Sequence, residues 1–239
     1  MSRKITNGKQ LQSIKLTLLI CSVTIFVSCS NTNERKNFGL NGNVKSCFER
    51  LYEVEKKFGR WENGDTEYNG HYQVIFDKEG KYQEINYYDS YMDLIGKQLP
   101  TREKGKVSEE IYYDEYGELQ NKTMIKHISK NEIDFESFNS DGEKTVHGKY
   151  IQEGGKIMKQ SYTFIMQDND EDETYTISFE YDKEGNLIYQ KQTNKKGEIV
   201  SYVKFEYLDF DKKNNWTKRL MYEDDDEPKN IAIREIEYY

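Results

Sequence analysis

The sequence predicts an all-β fold: an antiparallel meander of about a dozen short strands that form one curved or half-closed sheet of repeated hairpins. Apolar and polar residues alternate with a period of two along most of the chain, as they do in half-buried strands. Turn signals built on Gly and Asn separate these runs at short intervals. Tyr, which suits a pleated and partly buried surface, occurs 20 times in 239 residues.

The composition limits the functional classes. An aromatic content of 14% argues against a disordered chain, although charged residues reach 33%. The formal net charge of −8 argues against nucleic acid as a partner, because binding to phosphates requires a basic surface. We therefore expect a folded protein that does not bind nucleic acid.

The beginning of the chain predicts export. Arg3, Lys4, Lys9 and Lys15 form a basic stretch without acidic residues, and an uncharged apolar run follows over residues 16–27. A helix of this length rises about 18 Å, which is too short to cross a bilayer core of about 30 Å. A basic stretch followed by a short apolar run is typical of a secretory signal peptide.

The end of this segment, Phe26-Val27-Ser28-Cys29, resembles the lipobox of bacterial lipoproteins. The resemblance implies that Cys29 becomes the first mature residue and carries diacylglycerol and an N-linked acyl chain such as palmitate. It also implies a place in the bacterial cell envelope, with a lipid anchor in the outer or inner membrane and the domain facing the periplasm or the cell surface. Several acyl chains hold a protein firmly at a membrane. The alternative is an ordinary signal peptide that contains a cysteine.

The chain divides into a signal peptide over residues 1–28, a tether over 29–41 and a β-hairpin repeat domain over 42–239. The tether carries little that can be buried. After processing and lipidation Cys47 is the remaining cysteine, so we expect no internal disulfide. We expect Cys47 to pack as a small apolar residue in a strand, and the alternative is a reactive thiol.

Period-two alternation is clearest over residues 174–181. Tyr, Ile, Phe and Tyr lie on one face of this run, and Thr, Thr, Ser and Glu lie on the other. Residues 72–76, 158–166, 199–207 and 216–222 follow the same pattern. Each run therefore predicts a strand with one buried face.

Four predicted turns share the pattern aromatic-Asp-x-x-Gly, with Asn in the place of Gly in the last copy. Their paired residues are Asp77 and Gly80, Asp114 and Gly117, Asp182 and Gly185, and Asp211 and Asn214. We expect the aromatic residue to end a strand on the buried face and the Asp to cap the turn by accepting backbone N–H groups. The Gly or Asn supplies the left-handed conformation that returns the chain.

This turn pattern, followed by Asn186-Leu187 and by Phe-Glu-Tyr at residues 205–207, resembles the tyrosine–aspartate (YD) repeats of the Rhs type. Residues 40–46 and 210–238 are similar to the two ends of small lipoproteins with such repeats. A second resemblance is to MORN repeats, which are short hairpins built on aromatic-x-x-Gly. Both resemblances imply a β-sheet scaffold, and neither implies a specific activity.

Residues with metal or catalytic chemistry give little support for a cofactor. The histidines are too far apart for the clustered ligands that zinc requires: His71, His127 and His147. One acidic loop carries carboxylates at alternate positions, which suits calcium: Asp168, Asp170 and Asp172. The alternative is a solvated loop whose charges discourage edge pairing. We expect no cofactor and no resident metal.

The functional expectation is a non-enzymatic scaffold or binding module that presents an aromatic-rich sheet to an unknown protein or glycan. Aromatic side chains are enriched in recognition surfaces. Candidate contributors are Trp61, Trp216, Tyr87, Tyr88, Tyr112 and Tyr113. The alternatives are an envelope enzyme that acts on glycans through a pair of carboxylates, and a periplasmic carrier that shelters an apolar ligand. The sequence does not identify the ligand-binding residues.

Overall fold

A computed structural model describes residues 33–166, 171–223 and 226–239. The predicted lipidation site Cys29 lies outside the described residues, as do Asp168 and Asp170. Within these ranges we find no helix with the length and hydropathy needed to cross a bilayer.

A 3-10 helix spans Glu34–Phe38 and strands follow to the end of the chain. The strands are β1 Val44–Lys57, β2 Arg60–Thr66, β3 His71–Phe76, β4 Tyr82–Tyr88, β5 Leu94–Glu103, β6 Lys106–Asp114, β7 Leu119–His127, β8 Glu132–Asn139, β9 Lys144–Glu153, β10 Lys156–Phe164, β11 Glu173–Tyr181, β12 Leu187–Asn194, β13 Ile199–Phe210, β14 Trp216–Glu223 and β15 Asn230–Tyr238.

The strands form one antiparallel sheet that closes into a barrel. Successive strands pair with each other from β3 to β15, and β1 then pairs with β15 from Val44 opposite Tyr238 to Glu53 opposite Asn230. The predicted all-β antiparallel meander is confirmed, with fifteen strands instead of about a dozen. The prediction of a curved or half-closed sheet is wrong, because β1 joins β15 and completes a 14-stranded barrel. Closure removes the two unpaired edges that an open sheet would leave.

The length of β1 explains why the sheet has one strand more than the barrel. β1 has 14 residues and pairs along one edge with β15. Along its other edge, Ser46 to Glu49 pair with β3, and Tyr52 to Lys57 pair with β2. β2 therefore extends beyond the barrel as a two-stranded ribbon with the end of β1.

Side chains fill much of the barrel interior. Inward and outward residues alternate along each strand, so Tyr175, Ile177 and Phe179 share the inner face of β11. The inward side chains of Tyr82, Ile133 and Tyr150 are completely buried. A barrel of about eight strands already has an interior just wide enough for side chains to fill. The interior of the 14-stranded barrel is therefore occupied by side chains where these residues lie.

The predicted aromatic-Asp turn has a defined geometry in the structure, that of an Asx turn. The backbone oxygen of Asp182 accepts the N–H of Gly185 at 3.1 Å, and its Oδ1 accepts the N–H of Asn186 at 2.7 Å. Gly185 has a φ of 95°, which favours glycine. The register shifts by one residue beside the turn, as in a bulged hairpin. The same pair of hydrogen bonds forms at Asp77, Asp89, Asp114, Asn139, Asn194 and Asp211.

The N-terminal segment closes one end of the barrel. Phe38 packs edge-on against Phe76 and Tyr82, with ring centroids 5.3 and 5.8 Å apart. Arg35 is 1% exposed and donates to the backbone oxygens of Val44 at 2.7 Å and Asp77 at 2.5 Å. This part of the predicted tether therefore packs against the barrel, although the sequence shows little in it to bury.

The outer face of the barrel is charged. Exposed ion pairs join Lys45 to Glu237 across β1 and β15 at 3.2 Å, and Lys149 to Glu132 across β8 and β9 at 3.1 Å. Lys144 pairs in the same way with Glu136. A barrel wall that faces lipid carries an outward apolar band about 25 Å tall. The outer wall carries these ion pairs at the β1–β15 and β8–β9 pairings.

Candidate binding site

The two ends of the barrel differ. Because the strands form a meander, the hairpins turn alternately at each end. We call the end beside the 3-10 helix, where β1 begins, the closed end. We call the opposite end, where the β4–β5, β6–β7, β8–β9, β10–β11 and β12–β13 connections lie, the mouth. At the closed end the backbone N–H of Asn41 also donates to Oδ1 of Asn215 at 2.6 Å, which fixes the N-terminal segment to the β13–β14 turn.

Half-buried aromatic rings line the inside of the mouth. Tyr87 of β4 and Tyr112 of β6 meet edge-on with their ring centroids 5.7 Å apart. On β10 and β11, Phe164 and Tyr175 meet at 6.4 Å. Gly96 lies between Tyr87 and Tyr112 and makes this contact possible, because a Cβ there would lie 2.6 Å from Cζ of Tyr112. Tyr87 and Tyr112 are among the aromatic contributors predicted from the sequence, whereas Phe164 and Tyr175 are not.

Amide side chains alternate with these rings. Gln98 stands on the inner face of β5 opposite Tyr112, and its Oε1 accepts the Tyr87 hydroxyl at 2.9 Å. Asn121 stands opposite Tyr112 on the other side, on β7. The mouth therefore offers flat ring surfaces beside hydrogen-bonding groups. This combination suits a ligand that has apolar faces and hydroxyl groups, whereas a purely apolar ligand would cover the amides without bonding to them.

Exposed apolar side chains surround the mouth. The tips of two neighbouring turns carry Tyr91 and Tyr116, each 82% exposed. They occupy the third position of the Asx turn, where the copies at Asp77 and Asp182 have Glu79 and Glu184. Further exposed apolar residues at this end are Phe58, Tyr68, Leu94, Leu119, Ile199 and Val200. Most of the large exposed apolar side chains that the described residues show therefore lie at the mouth.

A buried ionic cluster lies inside the barrel where β1, β14 and β15 meet. Glu49 accepts Nη2 of Arg219 and Nε of Arg234, both at 2.9 Å, and the hydroxyl of Tyr72 at 2.8 Å. Both guanidinium groups lie over Trp216, with Cζ of Arg234 3.7 Å and Cζ of Arg219 4.2 Å from its ring centroid. Burial alone would raise the pKa of Glu49, but the two arginines and Tyr72 hold that pKa below its usual value.

A second buried carboxyl, Glu110 of β6, behaves differently. It is 4% exposed and accepts the hydroxyl of Tyr82, which is completely buried. Burial raises the pKa of Glu110 to about 7. The nearby Arg102 is already paired with Glu34 at 2.6 Å and with the Tyr82 backbone oxygen at 2.5 Å. Neither Glu110 nor Tyr82 is exposed to the mouth. Because Arg102 bonds to both Tyr82 and Glu34, this cluster links the barrel wall to the N-terminal segment.

The other predicted site residues lie apart from the mouth. Trp216 lies in the ionic cluster, and Trp61 lies on β2 with Nζ of Lys56 4.7 Å from its ring centroid. Tyr88 packs on Phe48 at 5.2 Å on the outer face, where Tyr113 also lies. The turn residues Asp77, Gly80, Asp182, Gly185, Asp211 and Asn214 lie at the closed end, and Asp114 and Gly117 lie at the mouth.

The candidate metal ligands have structural contacts where they are described. Oδ1 of Asp172 accepts the backbone N–H of Met166 at 3.1 Å. His71 is buried between the Leu51 N–H at 3.1 Å and the Glu67 backbone oxygen at 2.7 Å. His127 contacts the Val107 backbone oxygen at 3.0 Å, and His147 is exposed on β9. In the part of the chain that the structure describes, no group of three or more His, Cys, Asp or Glu residues could hold a metal ion.

The buried charges were not predicted from the sequence. Glu49, Arg219 and Arg234 each occupy an inward position of a strand that otherwise alternates apolar and polar. A charged residue at an inward position is the signal that could have revealed them, because such a residue needs a partner from another strand. Cys47 lies on the same inner face, 2% exposed, and burial raises the pKa of its thiol to about 11.

Comparisons with known proteins identify no family. No protein-family model matches the chain, and no curated protein matches it. Among solved structures, the chain is similar to the crystal structure of a porin-like protein from Bacteroides uniformis ATCC 8492. The two are 8% identical with a TM-score of 0.44, and the match covers 83% of this chain and 99% of that chain. This likeness is loose and extends to the fold alone.

Proposed function

We propose that the protein is a lipid-anchored binding module of the bacterial cell envelope, without enzymatic activity, that binds a glycan at the mouth of its barrel. The arrangement of the mouth carries this proposal. One end of the barrel is closed by the chain's own N-terminal segment, while aromatic rings and amides line the other end. Binding surfaces are enriched in such aromatic residues.

The position of the proposed anchor supports this orientation. Cys29 precedes Asn33, the first described residue, by four positions, and the chain reaches at most about 14 Å over that distance. Asn33 lies at the closed end, where its side chain caps the 3-10 helix by accepting the Arg35 N–H at 3.1 Å. A lipid on Cys29 therefore holds the closed end near the membrane and points the mouth away from it. The charged outer walls agree with a barrel that stands in water beside the bilayer.

The lining of the mouth favours a glycan over the alternative of an apolar ligand. Sugar rings combine apolar faces with hydroxyl groups, so they can lie on Tyr87 or Tyr175 while bonding to Gln98 or Asn121. An apolar carrier would need a continuous apolar cavity, but the interior beyond the mouth is filled by residues such as Tyr150 and Phe135, whose rings stack 4.9 Å apart. A repeat scaffold of the YD or MORN type is consistent with this role.

Membrane fractionation tests the anchor. Wild-type protein should sediment with membranes, and the Cys29→Ala variant should not. Protease treatment of intact cells then shows which side of the outer membrane the domain faces: digestion indicates the cell surface, and protection until that membrane is opened indicates the periplasm. If the Cys29→Ala variant sediments with membranes as fully as the wild-type protein does, the proposal of a lipid anchor on Cys29 is wrong.

A glycan array tests the binding function. We expect the wild-type protein to bind a restricted set of glycans, and Tyr87→Ala with Tyr175→Ala to lose that binding. Tyr113→Ala with Tyr189→Ala is the matched control, because these tyrosines lie on the outer face and should leave binding intact. Equal binding by both double variants would place the site elsewhere. Binding to proteins instead of glycans would contradict the proposed ligand class.

A further inference from the structure

We infer that the ionic cluster of Glu49, Arg219 and Arg234 is an anion-binding subsite inside the barrel, which takes an oxyanion such as a carboxylate, sulfate or phosphate group. This inference deepens the proposed function, and it rests on that function for the route by which a larger ligand would reach the cluster. The evidence for the subsite itself is the charge balance and the hydrogen bonding of these three residues.

The cluster carries an excess of positive charge. Two guanidinium groups face the single carboxylate of Glu49, and their side chains are only 14% and 6% exposed. The other groups in contact with them are the uncharged Tyr72, Tyr207 and Trp216, and Cys47, whose thiol is neutral near pH 7. The carboxylate of Asp211 also acts on the pKa of Cys47, but it is bound by the Tyr238 hydroxyl and by the Asn215 N–H of its own turn. A buried charge without a counter-charge is costly, so one further anion would stabilise this arrangement.

The arginines also retain unused donors. Nη1 of Arg234 and Nε of Arg219 are buried and have no hydrogen-bond partner among the residues that the structure describes. Arg234 is held by Glu49 through Nε, and Arg219 is held through Nη2. Each guanidinium therefore has one buried donor that Glu49 does not use. Guanidinium N–H groups are strong donors to the oxygens of carboxylate and phosphate groups.

The positions of the two arginines are fixed before an anion binds. Arg219 lies between the rings of Trp216 and Phe205, at 4.2 and 4.6 Å from its Cζ to the ring centroids. Arg234 stands directly opposite Glu49 across the β15–β1 pairing. A preorganised pair of donors loses little conformational entropy on binding. The partial exposure of Arg219 leaves it as the side of the cluster that a ligand reaches first.

Trp216 provides a fluorescent reporter, because the chain has two tryptophans and Trp61 lies on β2, outside the barrel. The full chain carrying Trp61→Phe is titrated with iodide, caesium and the neutral quencher acrylamide. The net charge of −8 repels iodide and attracts caesium. Without an anion site, caesium should therefore quench Trp216 at least as well as iodide does. We expect iodide instead to quench Trp216 with a saturating curve, and sulfate to suppress that quenching.

Substitutions connect the quenching to the cluster. Arg219→Gln should abolish the saturating component, and Arg219→Lys, which keeps the charge, should retain part of it. Arg50→Gln is the matched control, because Arg50 pairs with Glu235 at 2.7 Å on the outer face of the same seam. Circular dichroism verifies that each variant is folded. If iodide quenches no better than caesium, or if Arg219→Gln changes nothing while folded, the subsite does not exist.

Competition distinguishes the source of the anion. Suppression of iodide quenching by inorganic sulfate supports the subsite and shows that a free ion is sufficient. Suppression by glucuronate but not by glucose or sulfate supports the subsite as the binding place of an acidic sugar. Failure of both anions overturns the inference. Because these probes are free ions and monosaccharides, a negative glycan array leaves this result interpretable, and a positive array does not depend on it.

Discussion

Nε of Arg234 donates to Oε2 of Glu49 at 2.9 Å, and the two residues face each other directly across the pairing of the last strand with the first. This contact lies on the inner face of the seam that closes the barrel. On the outer face of the same seam, Arg50 pairs with Glu235. The seam thus carries two Arg–Glu pairs that differ in burial, and they provide a matched comparison.

Removing the inner carboxylate should destabilise the fold far more than removing the outer one. Glu49→Gln leaves two buried guanidinium groups without a counter-charge and should cost about 3 kcal/mol of unfolding free energy. Glu235→Gln breaks an exposed pair and should cost less than about 1 kcal/mol. Because the pKa of Glu49 is lowered in the folded protein, its contribution is present above its usual pKa and is lost as the pH falls. Urea denaturation at pH 7 and pH 3.5 measures both effects, and equal losses for the two variants at pH 7 would refute the buried pair.

Glu110 should make the protein less stable as the pH rises. Burial raises its pKa from an ordinary value of 4.5 to about 7, so the folded state holds a proton that the unfolded state releases. The resulting stability is complete below pH 4.5 and is lost between there and about pH 7, by about 3 kcal/mol. Glu110→Gln keeps an acceptor for Tyr82 and should remove this dependence. Unfolding free energies of both proteins at pH 5 and pH 8 test it, and a parallel pH profile for the variant would show that Glu110 is already ionised in the fold.

The N-terminal segment should contribute measurably to stability. Phe38 is 3% exposed and packs against Phe76 and Tyr82. We therefore expect Phe38→Ala to lower the free energy of unfolding by about 3 kcal/mol. Lys36→Ala, on the exposed side of the same 3-10 helix, should change the unfolding free energy by less than about 0.5 kcal/mol. Thermal unfolding of the two variants compares them. A melting temperature for Phe38→Ala equal to that of Lys36→Ala would mean that the segment does not seal the barrel in solution.

The Asx turns should tolerate Asn but not Ala at their fourth position. Gly117 has a φ of 80° and no atom within 4 Å of where a Cβ would lie, so Gly117→Ala tests the backbone conformation alone. We expect Gly117→Ala to lower the free energy of unfolding by about 1 kcal/mol. Gly117→Asn should cost less, because Asn214 adopts a φ of 62° in the homologous position of the Asp211 turn. Denaturation midpoints rank the three proteins, and Ala ranking above Asn would contradict the turn geometry.

The strands could be predicted from the sequence because their signals are local. Period-two alternation identified runs such as residues 174–181, and an aromatic residue followed by Asp identified turns such as the one at Asp182. Asp89 and Asn194 form the same turn, but each departs from the pattern, so the pattern did not find them. Met92 stands in the place of the final Gly after Asp89, and Thr193 and Asn194 stand in the place of the aromatic-Asp pair. The side chain that accepts the N–H of the fifth residue defines the turn, and both Asp and Asn can do this.

Closure of the barrel could not be predicted in the same way. It depends on β1 meeting β15, and their paired residues Glu49 and Arg234 lie 185 positions apart in the chain. Strand alternation looks the same in an open sheet and in a closed one. The mouth was missed for the same reason, since Tyr87 and Tyr175 belong to strands that lie on opposite sides of the closed ring. Which face of a sheet becomes an interior is decided by closure and not by any local pattern.

The most direct test of the account is the orientation of the barrel on a membrane. The lipidated protein is reconstituted in vesicles with a quencher attached to lipid headgroups, and a fluorophore is placed on a single introduced cysteine. Lys212→Cys marks the closed end, and Glu115→Cys marks the mouth; both positions are exposed, and Cys47 is buried and should not react. Strands such as β6, nine residues long, separate the two ends by roughly 20 Å after allowing for their tilt. We predict strong quenching at position 212 and weak quenching at position 115; stronger quenching at 115 would place the mouth against the membrane and contradict its role as an accessible binding site.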